Sequence, residues 1–244
     1  MNKDIINNWY EKTKDKLNED YYNKKPIGYE KHHILNNSMI CAIGGTGCGK
    51  TNALFEYIIR SNGNFYEIII YSGSTTDEKL YNYLSKLNKN IKLFDNINDV
   101  PELTDYDNDG IYGELKKYPK LIVFDDFINL KKNEQIKIKK YLTSGRKYGF
   151  SVWLMAQNYT QIDKNIIRNC NYFILYKLND NFTINNIIRN HNIDNLDKNI
   201  IINMYNKATD KKLDFFMLDL KGDKELRYRH NFLDLIDFST KVPL

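Results

Sequence analysis

Three cysteines are all that this chain of 244 residues carries, and Cys41, Cys48 and Cys170 share no paired or metal-ligand spacing. That argues against a disulfide-stapled scaffold and a structural zinc site, and makes a reducing compartment the expectation. Histidine is nearly as scarce. His32, His33, His191 and His230 lack ligand companions at metal spacings and read as ordinary surface or core residues. No apolar run approaches the about 18 residues that cross a bilayer, and the N-terminus has no signal-peptide core. The expectation is a soluble chain with no membrane partner and no cleaved leader. Internal repeats are missing as well, which sets solenoids and propellers aside. Neither charge dominates: 36 basic against 31 acidic residues leave a formal +5, which permits an anionic partner without requiring one.

What is present is enough apolar material, 42% of residues, to bury a full core. One domain of about 200 residues with short appendages fits that length. Residues 1–36 are polar and mixed in charge, with Trp9, Tyr10 and Leu17 as the main apolar points, and read as an N-terminal helical arm ending near Pro26. From residue 37 to 244, short continuous apolar runs alternate with helical patterns. MICAI (39–43), EIIIY (67–71), KLIVF (120–124), SVWLMA (151–156) and YFILY (172–176) are the runs, of the kind found in a sheet covered on both faces. The helix after MICAI puts Leu54, Tyr57 and Ile58 on one face and ends at Ser61–Gly63. The next one sets Leu80, Leu84 and Leu87 in register. Two strand patterns flanking Lys221–Asp223 predict a C-terminal β-hairpin over 212–232. The alternation predicts an α/β fold with a mainly parallel central sheet flanked by helices.

Between the first strand and its helix stand Gly44, Gly45, Thr46, Gly47, Cys48, Gly49, Lys50 and Thr51, the pattern G-x-x-x-x-G-K-T. Glycines let backbone N–H groups turn inward to cradle phosphate oxygens where a side chain would clash. The helix start adds unpaired N–H groups and the positive end of its dipole. Lys50 is placed to reach the β- and γ-phosphates of ATP, and the Thr51 hydroxyl to ligate Mg²⁺. Cys48 fills a variable position of the loop and has no assigned role of its own.

A phosphate loop requires a metal-side carboxylate, and KLIVFDDF supplies it after four buried residues. Side chains alternate along a strand, so Asp125 and Asp126 point differently. Asp125 is the candidate Mg²⁺ carboxylate, acting through the ion's water shell, and Asp126 the candidate base for the attacking water. In SVWLMAQNY the apolar strand ends at Gln157. If that strand lies between those of Lys50 and Asp125, the amide faces the γ-phosphate. Otherwise it merely caps the strand.

GGTGCGKT, LIVFDDF, SGRKYGFSVWLMAQN and NIIRNCNYFILY, in this order and spacing, resemble the viral genome-packaging ATPases of the FtsK–HerA superfamily, of the kind found in poxviruses, other large DNA viruses and virophages. The resemblance covers residues 36 to 180 and implies a RecA-like P-loop NTPase core of the additional-strand type, with sheet order 5-1-4-3-2. It also implies a homo-oligomeric ring, commonly a hexamer, driving double-stranded DNA into a preformed capsid. Viral capsid proteins at the packaging vertex would be its partners and the host cytoplasm its location. Carried over residue by residue, Lys50 and Thr51 are the phosphate-loop residues, Asp125 the metal-side carboxylate and Gln157 the sensor amide. Much of the superfamily has Glu where Asp126 stands, and the shorter arm is a departure that bears on its role as base. The resemblance makes Arg146 the candidate arginine finger completing a neighbour's site, with Arg168 in reserve; a solvated loop arginine is the alternative.

The segment 131–147 is rich in lysine, with Glu134 its one acid, and reads as a solvated helix face or a surface for DNA phosphates. DYDNDG (105–110) imitates a Ca²⁺ loop, but Lys116 occupies the position of the bidentate Glu, so an acidic flexible loop is expected. Three rivals to a packaging motor remain. They are a related DNA or filament-assembly pump, a P-loop kinase for small molecules, and a nucleotide-binding structural protein without turnover. Asp126 and Gln157 favour a hydrolase over a kinase, which has no use for a water-activating residue beside the metal aspartate.

Overall fold

Alternate residues of the apolar runs go to opposite faces of one sheet, which is why the runs are continuous rather than alternating. Ile40 and Ala42 face one helical layer, Cys41 and Ile43 the other. The structure, a computed structural model, describes residues 25–61, 63–73, 79–127, 130–178, 182–191 and 196–236. The helical arm expected up to Pro26, with Trp9, Tyr10 and Leu17, falls on residues 1–24, outside the described ones.

The described strands are β1 (Met39–Ile43), β2 (Glu67–Ser72), β3 (Ile91–Phe94), β4 (Lys120–Asp125), β5 (Phe150–Ala156), β6 (Tyr172–Leu175), β7 (Phe216–Asp219), β8 (Tyr228–His230) and β9 (Asp234–Leu235). They form a single sheet in the order β3-β2-β4-β5-β1-β6-β7-β8-β9. The pairings from β3 to β6 are parallel and those from β6 to β9 antiparallel. The five strands legible as apolar runs lie in the order β6-β1-β5-β4-β2, the additional-strand arrangement that the resemblance implies. The short β3 and β9 extend the two edges. This is the α/β P-loop fold with a mainly parallel central sheet flanked by helices.

Helices α1 (Lys50–Arg60) and α2 (Lys79–Leu87) cover one face; α3 (Gln135–Ser144), α4 (Lys164–Asn169), α5 (Phe182–His191) and α6 (Lys198–Ala208) cover the other. On α1, Leu54 and Tyr57 are fully buried, each worth about 1.5–3 kcal/mol. Tyr57 stacks on Trp153 of β5 with ring centroids 5.1 Å apart, so packing rather than propensity holds this helix. The expected leucine stripe of α2 is corrected by the structure. Tyr81 and Leu84 are buried whereas Leu87 is 62% exposed, because the stripe is rotated to bury the tyrosine, whose hydroxyl reaches Asp125 at the end of β4.

The acidic segment 105–110 is also different from the flexible loop expected. Leu103–Tyr106 is a 3-10 turn with a capping box between Glu102 and Asp105, and Gly110 N–H closes on the Asp107 carbonyl at 2.7 Å. Tyr106 is buried, and its hydroxyl donates to Glu67 at 2.5 Å, anchoring the turn beneath β2. An aromatic inside an acidic run is what fixes it.

Candidate active site

The chain turns from β1 into α1 at the C-terminal edge of the sheet, and the geometry of that turn demands glycine. Gly49, which caps α1, has φ +115, and a Cβ there would stand 2.9 Å from Leu213 Cδ2. At Gly44 a Cβ would meet Cys48 Sγ at 2.6 Å and Tyr176 Cβ at 2.7 Å. Over Gly45 and Gly47, by contrast, no atom lies within 4 Å of that position, so the loop is crowded beneath and open above. Lys50, the first residue of α1, folds over the loop, its Nζ donating to the carbonyls of Gly44 at 2.6 Å and Gly45 at 3.1 Å. An ammonium group thus stands at the mouth of an open backbone cradle, beside a helix start, which is the chemistry of an anion site.

Sheet order brings the other candidates to the same edge. β5 lies between β1 and β4, the arrangement on which the reading of Gln157 depended. Gly44 N–H donates to the Ala156 carbonyl at 3.2 Å, so exposed Gln157 follows directly beside the start of the loop. Asp125 pairs with Met155 across β4–β5, two strands from the loop strand and so about 10 Å away across the sheet. The two aspartates diverge. Asp125 is half-buried, whereas the chain turns at Asp126, φ +50, and leaves that side chain exposed. Aspartate tolerates this left-handed conformation better than most residues do. Burial raises the pKa of Asp125, opposed by a hydrogen bond from Tyr81 and by the charge of Lys50.

Two residues of the site escaped the sequence reading. Tyr81 of α2 donates to Asp125 Oδ2 at 2.8 Å, and Tyr176, just past β6, donates to the Gly49 carbonyl at 2.8 Å. Tyrosines abound in this chain, 19 in all, so neither stood out. For Tyr176, its place at the end of an apolar run was the one available signal. Cys48 is half-buried behind the loop, and burial pushes its thiol pKa up, as expected of a packing residue.

The arginines do not join this cluster. Arg146 lies in the 3-10 turn Gly145–Tyr148 that precedes β5, at the opposite edge of the sheet from Gln157. The seven residues of β5 alone span about 23 Å. Arg168, at the end of α4 before β6, is exposed at that same edge. The lysines of α3 are largely engaged within the chain. Lys137 pairs with Glu102 at 3.1 Å, Lys140 with Glu102 at 3.3 Å, and Lys139 with Asp163 at 2.8 Å. Among the described residues no group of three or more histidine, cysteine, aspartate or glutamate side chains could hold a metal, and no helix is long and apolar enough to cross a membrane.

No family profile matches the chain, and no curated protein matches it by sequence. Its fold, however, is shared with solved structures. The DNA-packaging ATPase B204 of Sulfolobus turreted icosahedral virus superposes with a TM-score of 0.51 at 14% identity, over 75% of this chain and 92% of that one. B204 of Sulfolobus turreted icosahedral virus 2, a genome-packaging NTPase solved with ATP-gammaS, gives 0.50 at 12%, over 81% and 98%. The EssC fragment containing ATPases 2 and 3 from Geobacillus thermodenitrificans gives 0.52 at 12%, over 81% of this chain and 39% of that one. At this level of identity the likeness is one of fold, shared with packaging and EssC ATPases.

Proposed function

We propose that this protein is an Mg²⁺-dependent ATPase motor that moves double-stranded viral DNA into a capsid as a homo-oligomeric ring. The observation that carries the reading is the open glycine cradle under Lys50, one strand from Gln157 and two from half-buried Asp125. The fold shared with B204 over nearly that protein's whole length supports the packaging role.

The residues fit a triphosphate and its metal. Amide donors and Lys50 suit phosphate oxygens; the Thr51 hydroxyl and Asp125 carboxylate are hard oxygen ligands of the kind Mg²⁺ takes. Bound there, the ion would neutralise charge on the β- and γ-phosphates. Lys50 leaves the Gly44 and Gly45 carbonyls to meet the phosphates, and Asp126 accepts a proton from the attacking water. The Gln157 amide orients that water or the γ-phosphate. Hydrolysis proceeds by direct attack, with no covalent intermediate. Arg146, far from its own loop, serves the loop of a neighbouring subunit, which makes the ring part of the catalyst.

A second reading, a pump of the same fold with another cargo, is favoured by the likeness to EssC, as strong as that to B204. ATPase activity of the purified protein with and without double-stranded DNA separates the two. Strong stimulation supports the DNA motor, hydrolysis indifferent to DNA supports another cargo, and no hydrolysis in a folded protein removes both.

A further inference from the structure

The glycine loop has two flanks, and the candidate catalytic residues stand on one of them. On one side β5 and β4 end in Gln157, Asp125 and Asp126; on the other stand β6 and then β7. A nucleoside triphosphate has its reactive phosphate at one end, so with the γ-phosphate on the carboxylate flank the nucleoside must leave over the other. Because β7 runs antiparallel to β6, the segment entering β7 stands at the same edge as the loop. That segment presents Leu213.

Leu213 combines three properties. Its Cδ2 reaches within 2.9 Å of the point where a Cβ on Gly49 would stand, so it abuts the loop itself. It is nevertheless 47% exposed, while its neighbours on this flank, Tyr176 and Phe215, are buried. And its backbone has φ +74, a left-handed conformation that leucine adopts only at a cost and glycine or asparagine readily. The turn is fixed from below: Asp214 N–H donates to the Lys211 carbonyl at 3.2 Å, and the Asp214 carboxylate meets His230 at 2.9 Å and Asn231 at 3.1 Å. The fold therefore holds an apolar side chain in a strained, half-exposed position against the phosphate loop, where a glycine would sit more easily. Strain of this kind persists where surrounding structure enforces it, and it clusters at ligand clamps.

We infer that Leu213 is the apolar ledge on which the base of the bound nucleotide packs, so that the turn entering β7 grips the nucleoside while the glycine loop grips the phosphates. This rests on the nucleotide reading above. Covering the exposed half of a leucine with a flat base removes apolar surface from water on both partners.

Calorimetric titration of the full chain with a non-hydrolysable ATP analogue and with inorganic tripolyphosphate tests it. Tripolyphosphate occupies the loop but has no base. Leu213→Gly and Leu213→Asn accept the backbone conformation, so both are expected to fold with an undiminished melting temperature. Each should lose about five- to tenfold in affinity for the ATP analogue, while Leu213→Met stays within about twofold of wild type. Tripolyphosphate should bind all four proteins alike. Unchanged analogue affinity in the Gly and Asn variants overturns the inference. So does a parallel loss for both ligands, which would make Leu213 a brace for the loop. If wild type binds neither ligand, the nucleotide reading fails first and this inference falls with it.

Discussion

The Tyr81 hydroxyl donates to Asp125 Oδ2 at 2.8 Å, joining a fully buried residue of α2 to the end of β4. The bond fixes one carboxylate oxygen and offsets part of the burial that raises the pKa of this acid. Tyr81→Phe keeps the ring that fills the core and removes only the hydroxyl, at a cost of about 1.5–3 kcal/mol for a hydrogen bond to a charged group. Nucleotide affinity measured with and without Mg²⁺ is expected to fall several-fold in the Mg²⁺ arm alone. Equal losses in both arms would reduce Tyr81 to a packing residue.

The divergence of Asp125 and Asp126 implies different losses. Asp125→Asn should weaken Mg²⁺-dependent ATP binding. Asp126→Asn should keep ATP bound and slow its cleavage by about 10²–10⁴-fold, the usual cost of a lost general base. Lys50→Ala, which touches loop carbonyls and little core, should abolish turnover in a folded protein. Binding and single-turnover assays on the three variants check the division of labour. It fails if both aspartate variants bind ATP·Mg²⁺ equally poorly.

A pH test probes the core beneath the loop helix. His32 is fully buried against Tyr57, ring centroids 4.9 Å apart, and its Nδ1 accepts the Ile34 N–H at 3.0 Å. Burial, followed by the charges of His33 and Arg229, lowers its pKa to about 3. The folded-state value lies below the unfolded one, so the stability contribution is intact above about pH 6.5 and is lost as the unfolded chain takes up a proton. The loss runs at up to about 1.4 kcal/mol per pH unit between 6.5 and 3. Urea midpoints at pH 7.5 and 5 should fall further for wild type than for His32→Phe. That variant begins less stable, by about 1–3 kcal/mol, because the Ile34 N–H loses its acceptor. Parallel pH curves would show that the imidazole titrates freely in the folded state.

How much of this was legible in advance follows from what each signal depends on. The five inner strands carry their burial as continuous apolar runs, and Gly44 to Thr51 carry backbone requirements that only glycine meets, so both could be read locally. Tyr81 could not. Its hydroxyl has a function only because the fold brings it to Asp125 at the end of β4, 44 residues on, and helical spacing alone favours the leucines, of which Leu87 is exposed. The order of segment 105–110 is hidden from local sequence for a similar reason: it comes from Tyr106 reaching Glu67, 39 residues away. β3 and β9, four and two residues long, are too short to register as periodic patterns. Their pairing is supplied by β2 and β8.

Arg146 is where sheet geometry makes the sharpest demand. The length of β5 separates it from its own glycine loop, so in the proposed ring any part in hydrolysis would be played at a neighbouring subunit's loop. Arg146→Ala should then bind ATP normally yet lose turnover by about 10³-fold, if finger magnitudes carry over. Mixing gives the decisive measurement. Arg146→Ala protein has an intact loop and Lys50→Ala protein an intact arginine, so mixed rings contain some complete composite sites. ATPase activity recovered on mixing two inactive variants requires that the site be shared between subunits, because neither chain can supply both groups to itself. Rings shown by mass to be mixed, yet still inactive, would return Arg146 to the surface. Arg168, exposed at the same edge of the sheet, would then be the arginine to test in its place.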